Sequence, residues 1–233
     1  VDSLVEFAPA LKKDSMNNTI RNGFLILATV FAVSVTIGGC ASKTINESNP
    51  KDMYEDADQD IKNDRYLIAL DKLRIVKTKF SYSSYGALAQ LRIGDVYFLQ
   101  ESYTEAASAY ETFGELYPKN EKAPYALFRA GESYYMDIPS TIERDMKSAD
   151  SAISTFNSYL KKYPAGENVE KAKDLKHKAY NKLAEKELDI AQFYLRRKKV
   201  DAAKGRLQKI LDQYPDSDVA PKAKELIQHL PFE

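Results

Sequence analysis

The 233-residue chain has no tryptophan, a single cysteine, two histidines and no net charge. Each shortage closes a route. One cysteine, Cys40, excludes an internal disulfide, and His177 and His229 lie far apart with no cysteine near them, so neither zinc nor haem is expected. Thirty-four Lys plus Arg offset thirty-four Asp plus Glu, so no overall field draws nucleic acid, an anionic surface or a polyanionic substrate. Partners must be selected by shape and local contact. No dinucleotide-binding, P-loop or HExxH pattern occurs. What is present is bulk: at 44% hydrophobic and 29% charged residues, the chain can bury one large core or two modest ones, and it is not a disordered tail.

The cysteine has a telling neighbourhood. From Met16 the chain reads MNNTIRNGFLILATVFAVSVTIGGC, a short polar segment with Arg21, then a mostly apolar run, then two glycines. That is the layout of a bacterial export signal, and the apolar run falls short of the roughly 20 residues a comfortable membrane span needs. Its ending, Ile37-Gly38-Gly39-Cys40, resembles the lipobox of bacterial lipoproteins. The resemblance implies cleavage before Cys40, which becomes the first residue and carries diacylglyceryl and acyl chains such as palmitate. Several acyl chains on one residue give stable anchoring. The next residue is Ala41, where an aspartate would signal inner-membrane retention, so outer-membrane sorting is expected. Residues 1–15 read as an over-extended start, lost with the signal (1–39), and residues 40–50 as the lipidated cysteine and a polar tether.

Beyond the tether the sequence repeats. Phe80, Tyr117, Tyr163 and Tyr214 are each preceded, eleven residues back, by Ala69, Ala106, Ala152 and Ala203. Seven back stand Leu73, Tyr110, Phe156 and Leu207, and four back Val76, Phe113, Tyr159 and Ile210. These offsets put all four positions on one helix face. In the second unit an earlier helix carries Gly94 and Tyr97, which gives the tetratricopeptide pattern of two antiparallel helices meeting at small residues, without its tryptophan. The predicted fold is all-α, a tetratricopeptide (TPR) solenoid over 51–233, with units at about 51–84, 87–120, 124–166 and 169–217 and a half-unit at 220–233. The spacing Phe80 to Tyr117 is 37, Tyr117 to Tyr163 is 46 and Tyr163 to Tyr214 is 51. The first excess falls in a loop around Pro139. The second reads as one long helix from Val169 to Leu195, a stretch free of proline and glycine.

Segments that tempt a chemical reading have plainer ones. Asp56 to Asp60 begins like a calcium loop, but Ile61 replaces its glycine and Leu67 its closing glutamate, which leaves a solvated helix face. Arg196 to Lys199 suits a helix C-terminus, and Asp216 to Asp218 suits the N-cap of the last helix. No catalytic residue, metal ligand or cofactor is expected. A helical-hairpin array offers a groove lined by the first helix of each unit. The phase set by Gly94 and Gly131 places Tyr54 and Asp58, then Leu91, Asp95 and Phe98, then Phe128, Glu132 and Tyr135 on that side. Aromatics among carboxylates suit an extended peptide with apolar side chains; the competing reading is that some of them pack between repeats.

Leu183 to Ala220, Arg144-Asp145 in the third-unit loop and YSSYGALAQLRIGDVYFL (82–99) resemble the BamD family, lipoproteins of the outer-membrane β-barrel assembly machinery. The similarity runs from about Met53 to the C-terminus. It implies a non-enzymatic scaffold at the periplasmic face of the outer membrane, held there by the lipid on Cys40. Its implied partners are a BamA-like barrel protein, bound through the C-terminal units, other lipoproteins of the assembly complex, and unfolded outer-membrane clients at the N-terminal units. Arg206 matches a basic residue of the BamA-facing region. The family completes a fifth helix pair where this chain has one helix. The alternative is another TPR lipoprotein, such as a pilus-secretin pilotin or an envelope scaffold.

Overall fold

A computed structural model describes residues 48–141 and 145–230. The export signal, Cys40, most of the tether and Arg144 lie outside the described residues. All regular structure among the described residues is helical. Four helix pairs follow one another: α1 (Pro50–Lys62) with α2 (Tyr66–Lys79), α3 (Ser84–Leu99) with α4 (Tyr103–Leu116), α5 (Ala123–Met136) with α6 (Lys147–Lys162), and α7 (Val169–Arg196) with α8 (Val200–Gln213). A last helix, α9 (Ala220–Gln228), packs on α8. This is the TPR-like helical-hairpin repeat expected from the spacing.

Turn chemistry makes the hairpins. Asp64, Glu101 and Lys198 all have φ near +58, at the same place between the two helices of units one, two and four. Each is followed by an N–H that bonds back five residues: Arg65 to the Asp60 carbonyl (2.9 Å), Ser102 to Tyr97 (2.9 Å) and Lys199 to Tyr194 (3.0 Å). This six-to-one bond satisfies orphan carbonyls at a helix C-terminus. Helix entry is set by Asn49, whose side chain accepts from the Lys51 N–H before Pro50, and by Ser83, which accepts from the Gly86 N–H at 3.2 Å. In unit three, α5 ends at Met136, ahead of Pro139, and α6 begins only at Lys147. That is the longer connection the spacing placed there.

Within a pair, the helices meet at small residues. A Cβ on Gly94 would lie 2.8 Å from the Tyr110 ring, and one on Gly131 would lie 2.8 Å from the Phe156 ring. Ala57 and Leu73 share a core cluster in unit one, as do Ala191 and Leu207 in unit four. The 28-residue α7 serves two neighbours. Ala172, Leu175 and Ala179 pack with Phe156 and Tyr159 of α6, whereas Leu188 and Ala191 pack with Leu207 and Ile210 of α8. Leu183, between them, joins Met146 and Ala149.

Two local expectations are corrected. The N-cap residue of α9 is Val219, not an aspartate. Asp218 instead accepts from the Asn181 amide at 2.7 Å while its own N–H donates to Asn181 Oδ1 at 3.1 Å, which ties the α8–α9 turn to α7. The acidic run of α1 is not a solvated face either. Asp60 is 2% exposed and pairs with Arg65 (2.5 Å) and Lys72 (2.6 Å), and Asp56 also binds Lys72. The tight approach of α2 turns that side of α1 inward. Arg196 to Lys199 do sit at the end of α7, with the Arg197 guanidinium 4.4 Å from the Phe193 ring.

Candidate functional site

The first helices of successive units face each other, and their polar groups form one chain of contacts. On α1, Asp58 accepts from Arg92 Nε of α3 at 2.7 Å. Arg92 also reaches Asp95, one helical turn on, at 3.2 Å. Asp95 Oδ1 accepts from two phenols, Tyr110 of α4 at 2.7 Å and Tyr125 of α5 at 3.0 Å. Arg129 of α5 donates to the Tyr110 oxygen at 3.2 Å and to Glu132 at 2.7 Å. The other oxygen of Glu132 meets Lys171 of α7 at 2.6 Å. Arg129 also sits over Phe98, its guanidinium carbon 3.8 Å from the ring centre, a cation–π contact between units two and three.

Environment locks the protonation states of this ladder. Burial, reinforced by the Asp95 charge, pushes the Tyr110 phenol far above its ordinary range and the Tyr125 phenol up to about 12. Burial and then Asp58 raise Tyr54 to about 12. Burial works against the charge on Arg92, but Asp58 and Asp95 outweigh it and raise the guanidinium's pKa. The phenols are therefore fixed donors and the guanidiniums fixed cations.

The eight residues placed on this face by phase separate into two groups. Tyr54, Asp58, Asp95, Phe98 and Tyr135 are half-buried, and Asp58, Asp95 and Phe98 are members of the ladder. Leu91, Phe128 and Glu132 are corrected to buried positions, at 7%, 3% and 8% exposure. Phe128 packs against Phe156 and Tyr159 of α6, the partner helix of its own unit, in a cluster that Ala172 and Leu175 of the next unit's α7 also join. Leu91 forms part of a cleft of about 430 Å³ with Asp95, Tyr125, Lys122 and Glu167. Arg206, on α8, does not belong to this face. It donates to Glu187 of α7 at 2.9 Å, and Lys209 meets the other oxygen at 2.5 Å. Burial would raise the Glu187 carboxyl, but Lys209 and Arg206 outweigh it and hold the pKa below the ordinary range.

Sequence reasoning passed over the cations that organise the face, Arg92, Arg129 and Lys171. A signal for the arginines was available: Arg92-Ile-Gly-Asp95 and Arg129-Ala-Gly-Glu132 stand 37 residues apart, the repeat length itself. An arginine three residues before a carboxylate on a helix is a neighbouring pair. Chemically, the ladder's carboxylates are all committed to cations or phenols. Among the described residues, no group of three His, Cys, Asp or Glu is placed to hold a metal ion, and no helix is long and apolar enough to cross a membrane.

Comparison with known proteins agrees with this architecture. An outer membrane protein assembly factor BamD from Vibrio cholerae is 26% identical over 216 residues, covering 88% of this chain and 87% of that protein. Those of Pasteurella multocida (27% over 220 residues, 90% of this chain and 83% of the relative) and Caulobacter vibrioides (26% over 200 residues, 82% and 64%) are similarly related. The sequence model of the family YfiO, described as outer membrane lipoprotein, matches residues 46–229, which span all the described helices from Pro50 to Gln228. The chain belongs to the YfiO outer membrane lipoprotein family.

Proposed function

We propose that this protein is a non-enzymatic scaffold in the assembly of outer-membrane β-barrel proteins, tethered to the periplasmic face of the outer membrane by lipid on Cys40. Family membership and the names of the relatives support the assembly role over that of a secretin pilotin. The observation that carries the scaffold reading is the ladder from Asp58 to Lys171. It links the first helices of four units and commits each of its own carboxylates to a cation or a phenol. A face so constructed holds partners in place and does no chemistry on them. In this reading the cleft at Leu91, Asp95 and Tyr125 takes extended segments of unfolded clients, with Tyr54, Phe98 and Tyr135 as apolar contacts. Unit four, with Arg206, meets the periplasmic part of a BamA-like barrel protein, alongside the other lipoproteins of the complex.

Depletion followed by an inventory of outer-membrane proteins tests the reading. Loss of many β-barrel proteins together, and recovery of a barrel-forming partner in a detergent pull-down, are the expected results. Normal barrel levels with a mislocalised secretin would replace it by the pilotin reading. Cys40→Ala is expected to fold its repeats and leave the membrane fraction in cells lacking the partners.

A further inference from the structure

Apolar side chains in water concentrate on one helix. Leu67 is 74% exposed, Ile68 49%, Ile75 44% and Tyr82 85%, four of the nine exposed large hydrophobics among the described residues. All four lie on α2 or in the turn after it. Ile68 and Ile75, seven residues apart, share a side of the helix with Leu67 at its margin, and Tyr82 follows in the turn beyond its C-terminal end. The opposite side carries Ala69, Leu73 and Val76, which are wholly buried. The acid within the stripe, Asp71, is neutralised by Arg74 at 3.1 Å. The last turn of α2 is basic, with Lys77 and Lys79.

Topology says what lies near this stripe. Because α2 folds back along α1, its C-terminal end comes beside the start of α1: Phe80 and Met53 share a core cluster, and the Tyr54 and Tyr85 rings are 5.7 Å apart. Pro50, at that same end, is where the chain from Cys40 arrives. The ten residues from Cys40 to Pro50 reach at most about 35 Å even when fully extended. Lipid on Cys40 therefore keeps Pro50 within that distance of a bilayer, and Tyr82 lies at the same end of the first hairpin as Pro50. An apolar strip ending in an exposed lysine and a tyrosine has the composition of an interfacial contact, with the ring at headgroup level and the ammonium group among phosphates.

We propose that the outward face of α2, made by Leu67, Ile68 and Ile75 with Lys79 of its last turn and Tyr82 just beyond it, rests on the phospholipid surface to which Cys40 is anchored. The inference rests on the lipid-anchor reading of Cys40. It adds a second, non-covalent contact that fixes the orientation of the first hairpin on the membrane.

The absence of tryptophan makes a direct test possible, since one introduced indole is the only such reporter in the chain. The full lipidated protein is reconstituted in vesicles of phosphatidylethanolamine and phosphatidylglycerol, carrying either Tyr82→Trp or the control Leu116→Trp on α4, where the native leucine is 59% exposed. With brominated acyl chains, the indole at position 82 is expected to lose roughly half its emission or more and shift to the blue, as an interfacial group does. The control keeps its emission, and adding Ile75→Glu to Tyr82→Trp restores most of the lost intensity. Flotation with the vesicles but no quenching at position 82, or equal quenching at both positions, overturns the proposal alone. Shielding of that indole that grows with protein concentration and is insensitive to bromine assigns the stripe to a second copy and also overturns it. Failure to float overturns the anchor reading, and this proposal with it.

Discussion

In units two and three the paired helices meet across a glycine set against an aromatic ring, Gly94 with Tyr110 and Gly131 with Phe156. In units one and four the same position is an alanine in a cluster with a leucine, Ala57 with Leu73 and Ala191 with Leu207. A smaller residue on one helix is thus met by a larger one on its partner, so the pair packs by complementarity rather than by identity. The inner arrangement does more than pack. The Tyr110 hydroxyl, carried across the pair, enters the inter-unit ladder at Asp95 and Arg129, which a leucine cannot do.

The largest expected effect comes from breaking that match. Gly131→Ala places a methyl against the wholly buried Phe156. Overpacking of this kind costs about 1–3 kcal/mol, against about 1 kcal/mol regained in helix propensity. The urea midpoint followed by circular dichroism should fall, and Phe156→Leu in the same chain should recover part of the loss. A double-mutant cycle with no coupling would show that the two sites do not compensate each other. In unit four, Ala191→Gly has no ring to accommodate and should cost about 1 kcal/mol of helix propensity and a further roughly 0.8 kcal/mol for the buried methyl that now packs with Leu207.

A pH titration sharpens the comparison from the outer side. The carboxyl pKa of Glu187 is held below its ordinary value, so its contribution to stability is fully present above the unfolded pKa of about 4.3. It is lost as pH falls through the lower folded value. The wild-type midpoint should therefore drop between neutral pH and about pH 3 more than that of Glu187→Gln, the two curves converging in acid. The smallest effect concerns the hairpin turns. Glu101 is exposed and held in the left-handed region, so Glu101→Gly should raise stability by about 0.5–1 kcal/mol, the left-handed strain relieved less the extra backbone entropy of glycine. An unchanged or lower midpoint would mean that this turn carries no recoverable strain.

Much of the fold was legible because its signals are local. Helix periodicity, Pro139 and the uninterrupted run from Val169 needed no knowledge of distant residues. Phase likewise assigned Asp58, Asp95 and Phe98 to a shared face. Depth was not legible: whether Phe128 lies in a groove or under the next unit depends on how closely successive hairpins stack, which no single helix encodes. Asp218 shows the same limit. Its position before a helix suggested a cap, but Asn181, 37 residues earlier in the chain, is its partner. The left-handed turns were hidden for another reason, because Asp64, Glu101 and Lys198 occupy places where glycine would have announced them.

The single long helix between units three and four has a mechanical consequence. Hairpins joined by loops can rock on those loops, but α7 belongs to both hairpins at once, seated on α6 by its first half and on α8 by its second. Between Ala179 and Leu188 it contains neither glycine nor proline, and it is pinned there by Leu183 and Asn181. A sharp kink at this point would require disrupting backbone hydrogen bonds inside a continuous helix that contains neither of the residues that favour one. The third and fourth units therefore share one continuous helix, through which a load on one reaches the other.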